Sequence, residues 1–217
     1  MINEDKIVSA VSNLPLHGDD NGLIPAFGVY LTKIYGNYYN RVCYEFEREF
    51  NKTTDDIELR NASKFLLIEA GHVCAFNTFG GIMTSPEWDA VVLPMIEKKE
   101  DWVYGMVAVI NALGWGIWRI KELVPENKLV INIENSFESD YYISKYGSNA
   151  TTSKCYLGIG ATAGLMNLIY YGNIESHPTL DEKFYEQLFH TNSGFKAEEI
   201  LCRSKGDSLC ELVATKI

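Results

Sequence analysis

The sequence predicts an α+β fold in which helices pack on an antiparallel sheet. Three observations carry that prediction. Apolar residues recur at helical spacing through the first half of the chain, up to Gly114. Beyond it the texture switches to alternation, first over 115–137 and again over 195–215. Each alternating stretch surrounds a turn signal, which reads as a hairpin rather than as the separated strands of a βαβ unit.

The elements follow in order. Residues 1–22 read as a polar lead-in that ends at the turn-rich His17-Gly18-Asp19-Asp20-Asn21-Gly22. Residues 23–217 read as one domain, with a helical part over about 23–114 and a sheet part over about 115–217. Ile24, Phe27, Leu31, Ile34, Tyr35 and Tyr38 fall at helical spacing, and Val42, Phe46 and Phe50 continue in steps of four. This predicts a helix over 24–50. Asp55 or Asp56 caps a second helix carrying Leu59, Phe65, Leu66, Ile68 and Ala70. Gly80-Gly81 is expected to break the chain. Ser85-Pro86-Glu87 is a strong helix start, with serine as cap and proline in the first turn, and opens a helix over 88–98. Another helix, over 101–113, ends at Gly114.

In the sheet part, 115–123 and 129–137 flank Val124-Pro125-Glu126-Asn127. Leu129, Ile131 and Ile133 share one face, while Val130, Asn132 and Glu134 share the other, so one face of this hairpin is buried. Residues 138–150 are rich in Ser, Tyr and Asn and have no clear period. Thr151-Thr152-Ser153 reads as the cap of a helix reaching about Tyr171, with Cys155 in its first turn. Residues 173–179 form a loop and 181–189 a short helix. The segments 195–202 and 209–215 make a final hairpin around Ser204-Lys205-Gly206-Asp207.

Bulk properties narrow the function. The 217 residues are 47% hydrophobic and 22% charged, enough for one core without disulfide staples. The net charge is -10, and the one tight basic pair, Lys98-Lys99, is flanked by Glu97, Glu100 and Asp101. That charge argues against direct nucleic-acid binding. No uninterrupted apolar run approaches the ~20 residues of a membrane span, and residues 1–20 carry no long apolar stretch. Five cysteines, an odd count, favour a reducing compartment, so a cytoplasmic protein is expected. Cys43 and Cys74 lie in apolar helical stretches and read as core residues. Gly114-Trp115-Gly116 and the glycines at 158, 160 and 164 have neither the spacing nor the strand–helix context of a phosphate loop. His72 and His190 have no evident acid or nucleophile partner in sequence and read as structural or surface residues.

The remaining cysteines carry the pointed chemistry. A hairpin turning at 204–207 sets Cys202 nearly opposite Cys210, within chelating range of one ion. Cys155 completes a trio if its turn faces that hairpin, and Glu199 supplies a fourth donor. Strict alternation puts Glu199 on the opposite strand face from Cys202. Either a bulge intervenes or Glu198 is the ligand. Spacing alone also allows Cys155 as a core residue and Cys202 with Cys210 as packing partners or a cross-strand disulfide. Four protein ligands leave no open position, so such a zinc site is structural rather than catalytic.

The runs Cys155-Tyr-Leu-Gly-Ile-Gly160-Ala-Thr-Ala-Gly164 and Glu199-Ile-Leu-Cys202-Arg-Ser-Lys-Gly206-Asp207-Ser-Leu-Cys210 resemble the 4-vinyl reductase, or hydrocarbon-binding, domain. Ile133-Glu134-Asn135-Ser136-Phe137-Glu138 is similar to a motif of its phenol- and xylene-responsive sensor members. The clear likeness spans about 130–217, with fainter echoes back to about 70. The resemblance implies a fold shared with TRAPP tethering subunits and usually dimeric. It also implies zinc held by Cys155, Glu199, Cys202 and Cys210 beside a buried pocket for a small aromatic. Ile133 stands where sensor members tend to carry Trp, no histidine matches their pocket histidine, and 175–191 is an insertion.

Trp102, Trp115, Trp118, Ile133, Tyr156, Ile159 and Phe195 are the candidate pocket residues. The expected function is a zinc-containing module that binds or senses a small hydrophobic or aromatic molecule, as a homodimer. A dimeric interaction scaffold of the TRAPP-subunit type is the alternative. A reductase accessory role is weaker, since no hydride-carrier site is visible and a closed zinc shell offers no Lewis-acid position.

Overall fold

The computed structural model describes residues 2–217. Where a lead-in is expected, a helix forms: α1 (Glu4–Ser12). Asn3 caps it by accepting from the Lys6 N–H at 3.0 Å, and Glu4 and Asp5 complement its first turn. Ile7 and Val11, one turn apart, are buried.

Residues 24–31 also depart from the helical expectation. They form a small hairpin of β1 (Ile24–Ala26) and β2 (Val29–Leu31) around Phe27-Gly28. Both turn residues have positive φ, 55° and 68°, which suits the right-handed twist of a two-residue hairpin. The first long helix is therefore α2 (Gly36–Thr53), followed by α3 (Ile57–Cys74), which Asp56 caps through the Glu58 N–H at 2.8 Å.

Gly80-Gly81 does not break the chain. The helix continues through a π turn, Ala75–Phe79, into α4 (Gly80–Met83). The glycines serve close approach instead. A Cβ at Gly80 would lie 3.0 Å from the Leu180 side chain, and one at Gly81 2.5 Å from Val29. The combined run Ile57–Met83 is long and apolar enough, by length and composition, to cross a membrane; 44% of its most apolar window is buried inside this fold.

Ser85 starts α5 (Pro86–Val91) as expected, its Oγ accepting from the Trp88 N–H at 3.1 Å. The helix is shorter than expected because the chain passes into a 3-10 turn, Leu93–Met95. Next comes α6 (Glu100–Ala112), which ends before Gly114 at φ 83° and packs against α1.

The sheet is β3 (Ile117–Val124), β4 (Lys128–Glu134), β5 (Phe195–Leu201) and β6 (Cys210–Lys216), in the antiparallel order β3-β4-β6-β5. Between the hairpins lie α7 (Phe137–Tyr146), α8 (Tyr156–Met166), a π turn over Asn167–Tyr171 and α9 (Glu182–Phe189). Every residue of α8 is buried, between α3 on one side and the sheet on the other. The two helices meet backbone to backbone: a Cβ at Gly160 would sit 2.7 Å from Gly71 Cα.

The predicted cap of α8 is displaced. The helix begins after Cys155, not after Ser153, and its first N–H groups are satisfied from α7. Glu138 accepts from Leu157 N and Gly158 N, both at 2.9 Å. That single carboxylate fixes α7 on α8 and thereby places Cys155.

Candidate metal centre

The four sequence-predicted ligands come together. Cys155, Glu199, Cys202 and Cys210 each present one ligand atom, all within 4.8 Å of one another. Three elements deliver them. Cys155 precedes α8, Glu199 lies on β5, and Cys202 and Cys210 flank the turn between β5 and β6. The bulge that Glu199 requires is present: Glu199 pairs with Leu212 but Leu201 with Glu211, so Ile200 is the extra residue. Glu198, one position earlier, pairs with Val213 and is not in the cluster.

The three cysteines are fully buried free thiols, and Glu199 is only 9% exposed. Cys155 Sγ lies 3.5 Å from Cys210 Sγ. Sulfurs on a tetrahedral zinc, at Zn–S of about 2.3 Å, stand about 3.8 Å apart. Glu199 Oε2 accepts from Lys154 N and Cys155 N, each at 3.2 Å, while Oε1 is buried with no hydrogen-bond partner among the described residues. One carboxylate oxygen and three sulfurs are thus left facing one another, a donor set that suits a tetrahedral, thiophilic ion.

The electrostatics agree with that fit. Burial, followed by the negative charge of Cys202, pushes the Glu199 carboxyl up to about 7. Hydrogen bonds from Cys155 and Cys210 hold the Cys202 thiol below the usual range, while the same bond to Cys202 raises Cys155. Four acidic groups in one dry space cannot all ionise without a cation.

Each sulfur also meets a serine. Ser136 Oγ is 3.4 Å from Cys155 Sγ, Ser139 Oγ is 3.4 Å from Cys210 Sγ, and Ser204 Oγ is 2.9 Å from Cys202 Sγ. Behind this layer a polar seam ties the site to α2. Lys154 Nζ reaches both Glu47 oxygens at 2.7 and 2.8 Å, and Tyr44 donates to the carbonyls of Glu138 and Lys154. Of these partners only Ser136, Glu138 and Ser204 fall in a sequence motif that points to the site.

The candidate pocket residues are less concentrated. Trp115 sits between Phe79 and Phe137, with ring centroids 5.8 and 5.9 Å away, and lies 6.5 Å from Trp118. Ile133 is the cross-strand partner of both Trp118 and Cys210. Trp102 stacks on Trp88 at 5.3 Å, and Phe195 meets Tyr170 at 6.3 Å. Ile159 is buried in the same core, whereas Tyr156 belongs to a separate cluster with Cys43, Tyr44 and Leu67. None of the seven lines the groove of about 390 Å³ bounded by Pro25, Val29, Tyr30, Pro86 and Glu87, nor the cleft of about 150 Å³ between Val73, Phe76, Leu180 and Tyr185.

The histidines have partners after all. His72 Nδ1 lies 3.0 Å from Glu69 Oε2, and His190 bridges Glu69 at 3.0 Å and Glu186 at 2.7 Å. The His72 contact stays within α3, whereas His190 and the Tyr185–Glu69 hydrogen bond fasten α9, part of the insertion, to α3.

No family model and no curated protein matches the chain. Solved structures do. The phenol-responsive sensory domain of the transcription activator PoxR aligns with 100% of this chain and 91% of its own, at TM-score 0.66 and 11% identity. A trafficking protein particle complex subunit 3 from Naegleria fowleri, covalently bound to palmitic acid, aligns with 84% of this chain and 95% of its own, at TM-score 0.50 and 10% identity. A vinyl-4-reductase family protein from Methanocaldococcus jannaschii covers 98% of this chain and 94% of its own, at TM-score 0.43 and 14% identity. The fold is therefore the α+β class shared by the phenol-sensing domain and the trafficking-complex subunit.

Proposed function

We propose that the chain is a small-molecule sensing module. A small hydrophobic or aromatic molecule with a polar edge binds in the aromatic core, and zinc on Cys155, Glu199, Cys202 and Cys210 holds the β5–β6 hairpin against α8. The observation that carries the ligand reading is a pair of unsatisfied donors. The indole N–H groups of Trp88 and Trp118 are buried, with those residues 1% and 3% exposed, and neither has an acceptor among the described residues. A buried donor left unpaired costs about 1–3 kcal/mol, which an acceptor on a guest recovers. Trp118 also faces the Trp115 ring, so an aromatic guest gains stacking and a hydrogen bond together. The full-length likeness to a phenol-responsive domain supports the same reading.

Titration with phenol and cresols, read by tryptophan fluorescence and calorimetry, tests it. The expected result is saturable binding that W118F weakens. Absence of binding by any small aromatic at millimolar concentration, in calorimetry and native mass spectrometry alike, sinks it.

A scaffold role draws on a different observation. α2 and α3 present apolar residues to solvent: Tyr38 is 63%, Leu66 59% and Phe65 69% exposed, with Val42, Phe46 and Leu59 beside them. These are the residues whose spacing predicts buried helix faces. A twofold partner placing the same helices against them would bury both stripes. We therefore expect a homodimer, disrupted to monomer by F65E/L66E in light scattering. A monomeric wild type would remove this reading.

A further inference from the structure

The cluster of sulfurs has an outer layer that the donor set alone does not explain. Zinc with three thiolates and one carboxylate carries two excess negative charges, here in a site with no exposed ligand sulfur. Burying uncompensated charge is costly unless hydrogen-bond donors or cations meet it. The two cationic residues next to ligands in the chain are paired elsewhere: Lys154 Nζ with Glu47, and Arg203 Nε with Asp140, an ion pair at 2.9 Å. Compensation must come from N–H and O–H dipoles.

We propose that Ser136, Ser139 and Ser204 are positioning residues for the metal, one hydroxyl for each thiolate. The assignment is one to one: Ser136 on Cys155, Ser139 on Cys210 and Ser204 on Cys202. All three serines are buried, at 3%, 0% and 0% exposure. Among the described residues, Ser136 Oγ and Ser204 Oγ have only that sulfur as partner, and Ser139 has in addition a long, 3.4 Å contact to the Ser136 carbonyl. With protonated thiols, either atom can donate in the Ser136 and Ser204 pairs, whereas the Cys210 thiol donates to Ser139 Oγ. Once the metal displaces the sulfur proton, only the hydroxyl can, and Ser139 turns from the carbonyl to Cys210. The Arg203 N–H, 3.5 Å from Cys210 Sγ, adds a fourth donor. Donation to a thiolate withdraws electron density from sulfur, so the shell also makes the bound sulfurs poor nucleophiles. The layer thus favours a closed, inert centre over a reactive one.

This inference rests on the zinc reading above, and its test separates the two. Wild type and S136A, S139A and S204A proteins are loaded with zinc, and affinity is measured by competition with a chromogenic chelator. Cobalt(II)-loaded forms give the sulfur-to-metal charge-transfer band, and iodoacetamide gives the alkylation rate of the bound thiolates. Outer-shell losses weaken metal sites about 10- to 100-fold. The expected result is a loss of about tenfold per serine, a shifted charge-transfer band and faster alkylation, with S204T, which keeps the hydroxyl, close to wild type. Unchanged affinity, band and alkylation rate in all three alanine variants overturn the serine assignment while leaving the metal site standing. A wild type that takes up neither zinc nor cobalt overturns the zinc reading, and the serine assignment with it.

Discussion

Replacing Lys154 by Met should be among the most damaging single changes outside the cluster itself. Lys154 and Glu47 form a buried ion pair, their side chains 9% and 7% exposed, with both carboxylate oxygens engaged at 2.7 and 2.8 Å. The other groups around the ammonium are the Tyr156 hydroxyl at 3.4 Å and the faces of Tyr142 and Tyr156, which cannot replace a cation for Glu47. Leaving one partner of such a pair alone costs about 3–5 kcal/mol. For a domain of this size each kcal/mol lowers Tm by about 2–4 °C, so K154M should melt about 6–20 °C below wild type. The double variant K154M/E47M removes both charges and supplies apolar volume, so most of that loss should return. Calorimetry with urea unfolding on the four proteins of the cycle measures the coupling. A K154M penalty below about 1 kcal/mol, or a double variant as unstable as the sum of the singles, would refute the reasoning.

Three further outcomes follow from the same geometry. G160A should lose about 1–3 kcal/mol or more, because its Cβ meets the backbone of α3 rather than a movable side chain; urea unfolding reads it, and a neutral effect would show that α3 can retreat from α8. His190 is raised above the usual imidazole range, first by Glu69 and then by Glu186. Its contribution is therefore fully present below the unfolded pKa near 6.5 and fades as pH rises through the folded value. H190Q should destabilise at pH 5.5 by at most about 1 kcal/mol, since the ring is half exposed, and less at pH 9; a penalty that grows with pH would contradict the clasp. Zinc loaded onto the proposed site should be released by acid cooperatively with loss of the β5–β6 hairpin, because the sulfurs must reprotonate to release it; hydrogen exchange over 202–210 reads this.

The sequence shows what is local. The β3–β4 hairpin, the Ser85 cap, the short helix after 181 and the end of α6 at Gly114 depend on neighbouring residues, and they lie where their patterns put them. The misread elements have separate causes. Ile24, Phe27 and Leu31 mimic a helical stripe, but the deciding signal is a two-residue turn with Phe27 at positive φ, a conformation an aromatic seldom adopts. Gly80-Gly81 looks like a breaker, yet these glycines exist for contacts with Leu180 and Val29, distant in sequence. α1 was legible from Asn3, Glu4 and the Ile7/Val11 pair, which the polar average of the segment hides.

The site divides in the same way. Cys202 and Cys210 face each other through one hairpin, and the bulge at Ile200 resolves the choice between Glu198 and Glu199. Cys155 arrives by a tertiary route, through Glu138 holding the start of α8, which no spacing announces. Ser136 and Ser204 lie inside the quoted runs, but that each meets a sulfur is legible only from the fold, and Ser139 carries no signal at all.

Metal content of the purified protein, by elemental analysis of wild type, C155S, C202S and C210S, tests the central claim most directly. The account predicts about one zinc per chain in wild type, lost in each variant together with stability and with protection of the β5–β6 hairpin. A metal-free wild type with full stability, or cysteine variants that melt where wild type does, would contradict it.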